Sequence, residues 1–338
     1  MGDHPRLLHC EGDFVSAPPI LAVIYGKPKR GKTADAIAAF PTALCVGVPS
    51  NLNFIAQDVL GFAPAIHPEP PQTLPELILL LDQIEAQNLQ DSYGALIIDD
   101  ATHICKQSML EWEDNAPKGR SGKKDRFYPY QQLNRHLLQL AGKARHIGLH
   151  VVMTFHERGA GTNAMDQFSP GGPDVPSRNQ VETIPSWCDI NVRAVLNPDS
   201  PDPWLRAAYY VDVEDPQWVT GDRTGVCWDT TPRNLREILR ASRGGYQPPR
   251  LQGLEWQDEV ADEVACRMLA GEAPQAIAQD ISKRDLGHEL HVRWACQDGI
   301  ARAMLRKRRE RGLFDFSTSA TVNGRAAATA APPPPPTA

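Results

Sequence analysis

Residues 20–33 read ILAVIYGKPKRGKT, and the fold turns on this stretch. Its first six residues are apolar and partly β-branched and they run into a glycine, the pattern of a strand buried on both faces. The next eight match G-x-x-x-x-G-K-T. Glycines at both ends let successive main-chain amides curl around phosphate oxygens, the lysine reaches the β- and γ-phosphates, and the threonine hydroxyl binds Mg²⁺. The alanine-rich run KTADAIAAF that begins there stops at Pro41 and reads as a helix, with its positive end toward the anion. Such a pattern alone arises by chance in roughly one chain in a hundred of this length. The strand before it and the helix after it make it a phosphate-binding loop. Gly26, Lys27, Pro28, Lys29, Arg30, Gly31, Lys32 and Thr33 are therefore the candidate nucleotide contacts, and ATP and Mg²⁺ the implied ligands.

Working outward, residues 93–100 (YGALIIDD) form a second buried strand ending in two carboxylates. Mg²⁺ needs an oxygen ligand or a carboxylate-held water on its far side, which makes Asp99 the partner of Thr33. The alternative is a helix N-cap, a role that Asp100 or Thr102 can also fill. A third strand, residues 149–155 (LHVVMTF), carries Thr154, His156 and Glu157 at its tip, where a γ-phosphate sensor or a water-orienting group is expected. Asp100 and Glu157 both qualify as the base, so the candidate catalytic set is Lys32, Asp100, His156 and Glu157.

Further strands are expected at residues 43–48, 190–196 and 206–213, and helices at 73–87, 130–146 and 234–242. Strands alternating with helices give an α/β fold, a mostly parallel sheet covered by helices on both faces. Residues 1–17 read as an N-terminal extension, 18–245 as the P-loop domain and 253–312 as an all-helical region. Residues 317–338, alanine-rich and ending PPPPPTA, read as a disordered tail. The charge of −6 excludes a uniformly basic nucleic-acid coat but leaves room for local basic patches. The longest apolar run, residues 77–81, is too short to span a bilayer, and the N-terminus lacks the pattern of a secretory signal. A cytoplasmic protein with no membrane partner is expected. The seven cysteines are spread without a CxxC pair, which suggests neither a disulfide framework nor a zinc site.

With GKPKRGKT, ALIIDD and VVMTFHER in this order, residues 18–242 resemble the phage-type RecA-like P-loop proteins, some of which are single-strand annealing ATPases. The start of the third helix (FYPYQQLNRHLLQL) and the late segments GDRTG and PRNLREIL add to the likeness. The resemblance implies two mobile loops that hold single-stranded DNA. Residues 118–126 (KGRSGKKDR) place five basic side chains against one acid, with Phe127, Tyr128 and Tyr130 alongside. Basic groups track phosphates while aromatic faces stack bases, so Lys118, Arg120, Lys123, Lys124, Arg126 and Tyr128 are candidate DNA contacts. The alternative is a solvated surface loop. The second loop, residues 158–180, starts at the candidate contact Arg158 and is long and glycine-rich, as a segment that orders on binding would be. Where the family usually has a catalytic glutamate after the second strand, this chain has Val48-Pro49-Ser50. Arg223 in GDRTG is a candidate finger acting in trans, which requires a homo-oligomer, a ring or a filament; an ordinary turn arginine is the other reading.

In the helical region, MLAGEAPQAIAQDISKRDLGHELHVRWA looks like a helix-turn-helix segment, with Ala278 and Ile281 at its packing positions and Ser282 in place of the usual turn glycine. The run 302–311 has six basic residues against one acid, which reads either as a solvated helix face or as a nucleic-acid contact. The preferred expectation is an ATP-binding, RecA-like protein whose nucleotide state controls its grip on single-stranded DNA. A P-loop small-molecule kinase, a packaging or helicase-like motor, and a nucleotide-gated assembly ATPase stay open as alternatives.

Overall fold

The first strand, β1 (Leu21–Gly26), is buried at every position, and its side chains divide by the two-residue period of a strand. Leu21, Val23 and Tyr25 enter one hydrophobic core, while Ala22 and Ile24 enter a second on the opposite face. β4 (Ala95–Ile98) divides in the same way, Leu96 and Ile98 against Ala95 and Ile97. A sheet apolar on both faces needs helices on both. α3 (Leu74–Ala86), α4 (Ala101–Asp114), α5 (Tyr128–His146) and α6 (Arg178–Trp187) cover the first face, and α1 (Lys32–Ala39) and α7 (Leu235–Ala241) the second. The computed structural model describes residues 19–62, 64–119, 122–162, 168–196, 206–228, 231–242 and 253–311. The expected N-terminal extension and the expected disordered tail lie outside these residues.

With β2 (Leu44–Val46), β3 (Ala65–Ile66), β5 (His150–Arg158), β9 (Ile190–Leu196), β10 (Ala207–Tyr210) and β12 (Thr231–Pro232), the sheet runs β12-β10-β9-β1-β5-β4-β2-β3. The pairs from β9 through to β3 are parallel, and β10 and β12 extend the edge antiparallel. β1 and β4 flank β5, so the phosphate loop and the acid at the end of β4 meet across the tip of β5. This is the expected α/β P-loop fold with a mostly parallel sheet. Local chemistry sets the helix starts. Thr73 caps α3 by accepting from the Glu76 amide (3.4 Å), and Asp100 caps α4 by accepting from the Thr102 amide (2.8 Å). Residues 49–60 fold as α2 (Pro49–Phe54) running into a π-helical turn, Ile55–Leu60, where no element was expected.

The region beyond residue 253 consists of α8 (Trp256–Leu269), α9 (Pro274–Ile281) and α10 (Glu289–Glu310) around a third core. A Cβ on Gly299 would lie 2.5 Å from Val264 Cβ and 2.6 Å from the Ala261 carbonyl, so a glycine is what lets α8 and α10 approach this closely. Two features bear on the helix-turn-helix reading. Residues 282–288 separate α9 from α10, too long for a turn of about three or four residues, and the middle of α10 is buried where a recognition helix must be free. α10 also joins the second core through Leu305 and Trp294, and the Trp294 indole donates to the Val59 carbonyl (3.2 Å). Among the described residues no helix is long and apolar enough to cross a membrane.

His150, at the start of β5, is buried and accepts the Ile20 amide through Nδ1 at 3.2 Å. Burial pushes its pKa down from 6.5 to about 4. The folded state thus favours the neutral ring, and its stabilisation is complete above the unfolded value. Between pH 6.5 and about 4 the unfolded chain binds the extra proton, and of order 2–3 kcal/mol is lost across that window. Urea melts at several pH values will show this slope, and His150→Gln will flatten it.

Candidate functional site

The phosphate loop leaves β1 at Gly26 and enters α1 through Gly31, whose φ of 72° and ψ of 20° lie in the left-handed region. Lys29 shares that region with φ 60°, and the loop curls as the eight-residue motif requires. A Cβ at Gly26 would sit 2.6 Å from the Ala194 carbonyl of β9, so no larger residue fits the exit from the strand. The Lys32 ammonium turns back to donate to the carbonyls of Gly26 (3.0 Å) and Lys27 (3.1 Å). Burial lowers its pKa, against the pull of the Asp99, Asp100 and Glu157 carboxylates, so the charge is held where an anion would relieve its lost hydration.

Asp99 stands across from it. Its Oδ1 accepts from the Thr33 hydroxyl at 2.6 Å and from the Thr154 hydroxyl at 2.5 Å, which joins the loop, β4 and β5 at one oxygen. Its amide donates to the Val46 carbonyl (2.7 Å), and a Cβ on Gly47 would fall 2.0 Å from the Asp99 carbonyl, so only glycine lets β2 pass this close. Among the described residues no group of three or more His, Cys, Asp or Glu side chains can hold a metal ion. The hydroxyl and carboxylate pair of Thr33 and Asp99 suits a hard cation that takes its remaining oxygens from phosphate and water. The residues fit Mg²⁺ with a nucleotide, and the metal when bound would neutralise phosphate charge.

Asp100 sits beside this pair. Its Oδ2 lies 2.8 Å from His156 Nε2, and the His156 amide donates to the Thr102 hydroxyl at 2.8 Å. Lys32, Thr33, Asp99, Asp100, Thr154 and His156 therefore converge at one end of the sheet. Glu157 lies next to them but is engaged, its carboxylate gripped by Arg193 Nε at 2.8 Å and Nη2 at 3.2 Å. The Arg193 guanidinium also stacks 3.3 Å over the Trp218 ring. Arg193 was not among the expected site residues, although an arginine inside the apolar run INVRAVL was the available signal. Nor was Arg233, whose guanidinium donates to the Arg30 carbonyl of the loop.

The other candidates lie apart. Lys118 and Lys124 pair as a β-bridge, and the Gly119 amide donates to the Lys123 carbonyl (2.9 Å), so the basic loop is a short hairpin. Lys118, Lys123 and Arg126 are exposed, while the Lys124 ammonium is spent on the Glu113 and Asp114 carbonyls ending α4, at 3.0 and 2.9 Å. Arg120 lies outside the described residues. Tyr128 packs on the first core, and the exposed rings are Phe127 (74%) and Tyr130 (47%). In the second loop, β6 (Gly161–Thr162) pairs with β7 (Phe168–Ser169), and β8 (Gly172–Pro173) pairs with the end of β5. Arg158 donates to the Val175 carbonyl there (3.3 Å). Gly172 and Pro173 thus fold back on the strand that the loop leaves.

Arg223 follows β11 (Gly221–Asp222), which pairs with the first residues of β9, and its amide donates to the Asp189 carbonyl (2.8 Å). That is the opposite end of the sheet from the phosphate loop, a strand length of roughly 15 Å away. Its side chain, bonded to the Ser186 carbonyl, is out of reach of the loop in its own chain.

A profile described as an AAA domain matches residues 19–224, more than half of the chain. No curated protein matches the sequence. With the loop, the acid at the end of β4 and the sheet order in place, the chain belongs to the AAA domain family of P-loop nucleotide-binding ATPases.

Proposed function

We propose that this ATPase is RecA-like in its action and uses ATP with Mg²⁺ to control its grip on single-stranded DNA, in recombination, repair or replication of the phage type. The observation that carries the reading is the basic hairpin between α4 and α5. It exposes Lys118, Lys123 and Arg126 next to the rings of Phe127 and Tyr130, the pairing of cations with stacking faces that suits a single strand. α4 runs from the catalytic edge to this hairpin, so one rigid element connects Asp100 to it. In this reading Asp100 orients the attacking water, fixed by His156 and by the Thr102 amide, and Glu157 is held back by Arg193. Arg223 serves a neighbour in a head-to-tail ring or filament, since its own loop is too far away.

ATP hydrolysis measured with and without an oligothymidylate strand tests this. Stimulation by the strand is expected, and it should fall in the Lys118→Ala, Lys123→Ala, Arg126→Ala triple variant. Losing three phosphate contacts should also flatten the salt slope of binding by about 2. Lys124 stays in place because it holds α4. Hydrolysis indifferent to DNA, with phosphate passed to a small acceptor, would instead make the protein a kinase. Native mass spectrometry with ATP tests the assembly, and a strict monomer would remove any role for Arg223.

A further inference from the structure

Three consecutive residues after β12 make three contacts that belong to different parts of the molecule. The Arg233 guanidinium lies flat over Gly31, where a Cβ would be 2.9 Å from its Cζ, and donates to the Arg30 carbonyl. Asn234 donates to Asp298 Oδ1 of α10 at 2.7 Å while its own oxygen caps α7 through the Glu237 amide at 3.0 Å. The Leu235 amide donates at 3.0 Å to Asp35 in the first turn of α1, the carboxylate that also takes the Tyr209 hydroxyl.

We propose that Arg233 is a positioning residue for the bound triphosphate, and that residues 233–235 link occupancy of the phosphate loop to the C-terminal helices. A peptide unit is planar and trans, so its carbonyl and its amide point in opposite directions. Arg233 pulls the Arg30 carbonyl outward and thereby sets the Gly31 amide of the same peptide inward, toward the phosphates. A planar guanidinium is suited to this, because it lies against the loop while its edge donates. The loop carbonyl would otherwise depend on water for a donor. An anion that tightens the loop must tighten Arg233 as well, and through Asn234 it stiffens the contact with Asp298 in the middle of α10. By linkage, loosening α10 must weaken the anion's hold by the same factor.

This rests on the nucleotide reading of the loop, and the tests separate the two. Arg233→Lys keeps a positive charge near the buried Asp35 but loses the flat fork. It should raise the ATP Kd about tenfold and change KM more than kcat. A variant that binds ATP like the unaltered protein overturns the positioning role. Hydrogen exchange on the unaltered protein does not depend on any variant folding. Saturating ATP should slow exchange at residues 26–35 and also in α7 and in α10 around residue 298. Protection confined to residues 26–35 overturns the link to the C-terminal helices, whereas no protection even there removes the nucleotide reading and the proposal with it.

Discussion

Lys32→Met will leave the protein folded and deprive it of ATP. The replacement keeps the length of the stem and removes an ammonium that is bonded, among the described residues, only to the Gly26 and Lys27 carbonyls. Two charge-assisted hydrogen bonds to phosphate, at about 1.5–3 kcal/mol each, are lost. ATP affinity should therefore fall about 10²- to 10⁴-fold. The stability of the nucleotide-free protein should stay level or rise, because burial of this ammonium costs more than Asp99, Asp100 and Glu157 return. Thermal melts with and without MgATP read both effects at once. The unaltered protein should gain about 2.7 kcal/mol when ATP stands at a hundred times its Kd, and the variant should gain less than about 0.5 kcal/mol at the same concentration. A variant that still shows the full ATP-dependent shift would remove the lysine from the site and the phosphate loop from the account.

How much of this was legible in the sequence follows from the range of the forces involved. β1, β4 and β5 announce themselves because a strand buried on both faces must be apolar along its whole length. The loop does so because its glycines answer a local steric demand, seen at Gly26 against Ala194. Thr73 and Asp100 were readable as caps for the same reason, each bonding an amide two or three residues on. The partners of the site were not. Arg193 meets Glu157 across 36 positions, and Leu235 meets Asp35 across 200. No local pattern encodes which distant acid a given arginine will meet. Within the run 302–311 the part played by Arg302 was hidden for this reason, since the acids that meet it arrive from α7 and α8. The pairing of Gly172 and Pro173 with the end of β5 was hidden too, because glycines and prolines mark turns without saying that the chain returns to pair with the strand it left.

That basic run yields the second large effect. Arg302 is only 4% exposed, and it reaches both Glu237 oxygens of α7, at 3.0 and 2.8 Å, as well as Asp258 at 3.1 Å and Asp262 at 2.9 Å of α8. Among the described residues, Arg302→Ala leaves Glu237, itself 1% exposed, with Arg240 at 3.4 Å as its remaining ion-pair partner. A buried carboxylate stripped of its main partner costs about 3–5 kcal/mol, which for a protein of this size lowers the melting temperature by roughly 10 °C. Pairing Arg302→Leu with Glu237→Leu should recover most of that loss, because both charges leave together and Asp258 and Asp262 can turn to solvent. Arg306→Ala is the control. Its bond to Asp262 is exposed on both sides and should be worth less than about 1 kcal/mol. Calorimetry of the four proteins decides how the C-terminal helices are attached. If α10 is built into the ATPase through this network, the Arg302→Ala protein melts early in one transition, with α7 and the phosphate-loop helix lost at the same temperature. A separate early transition, with the P-loop domain melting unchanged, would mean that α8 to α10 are only docked, and the linkage through Asn234 and Asp298 would lose its mechanical basis.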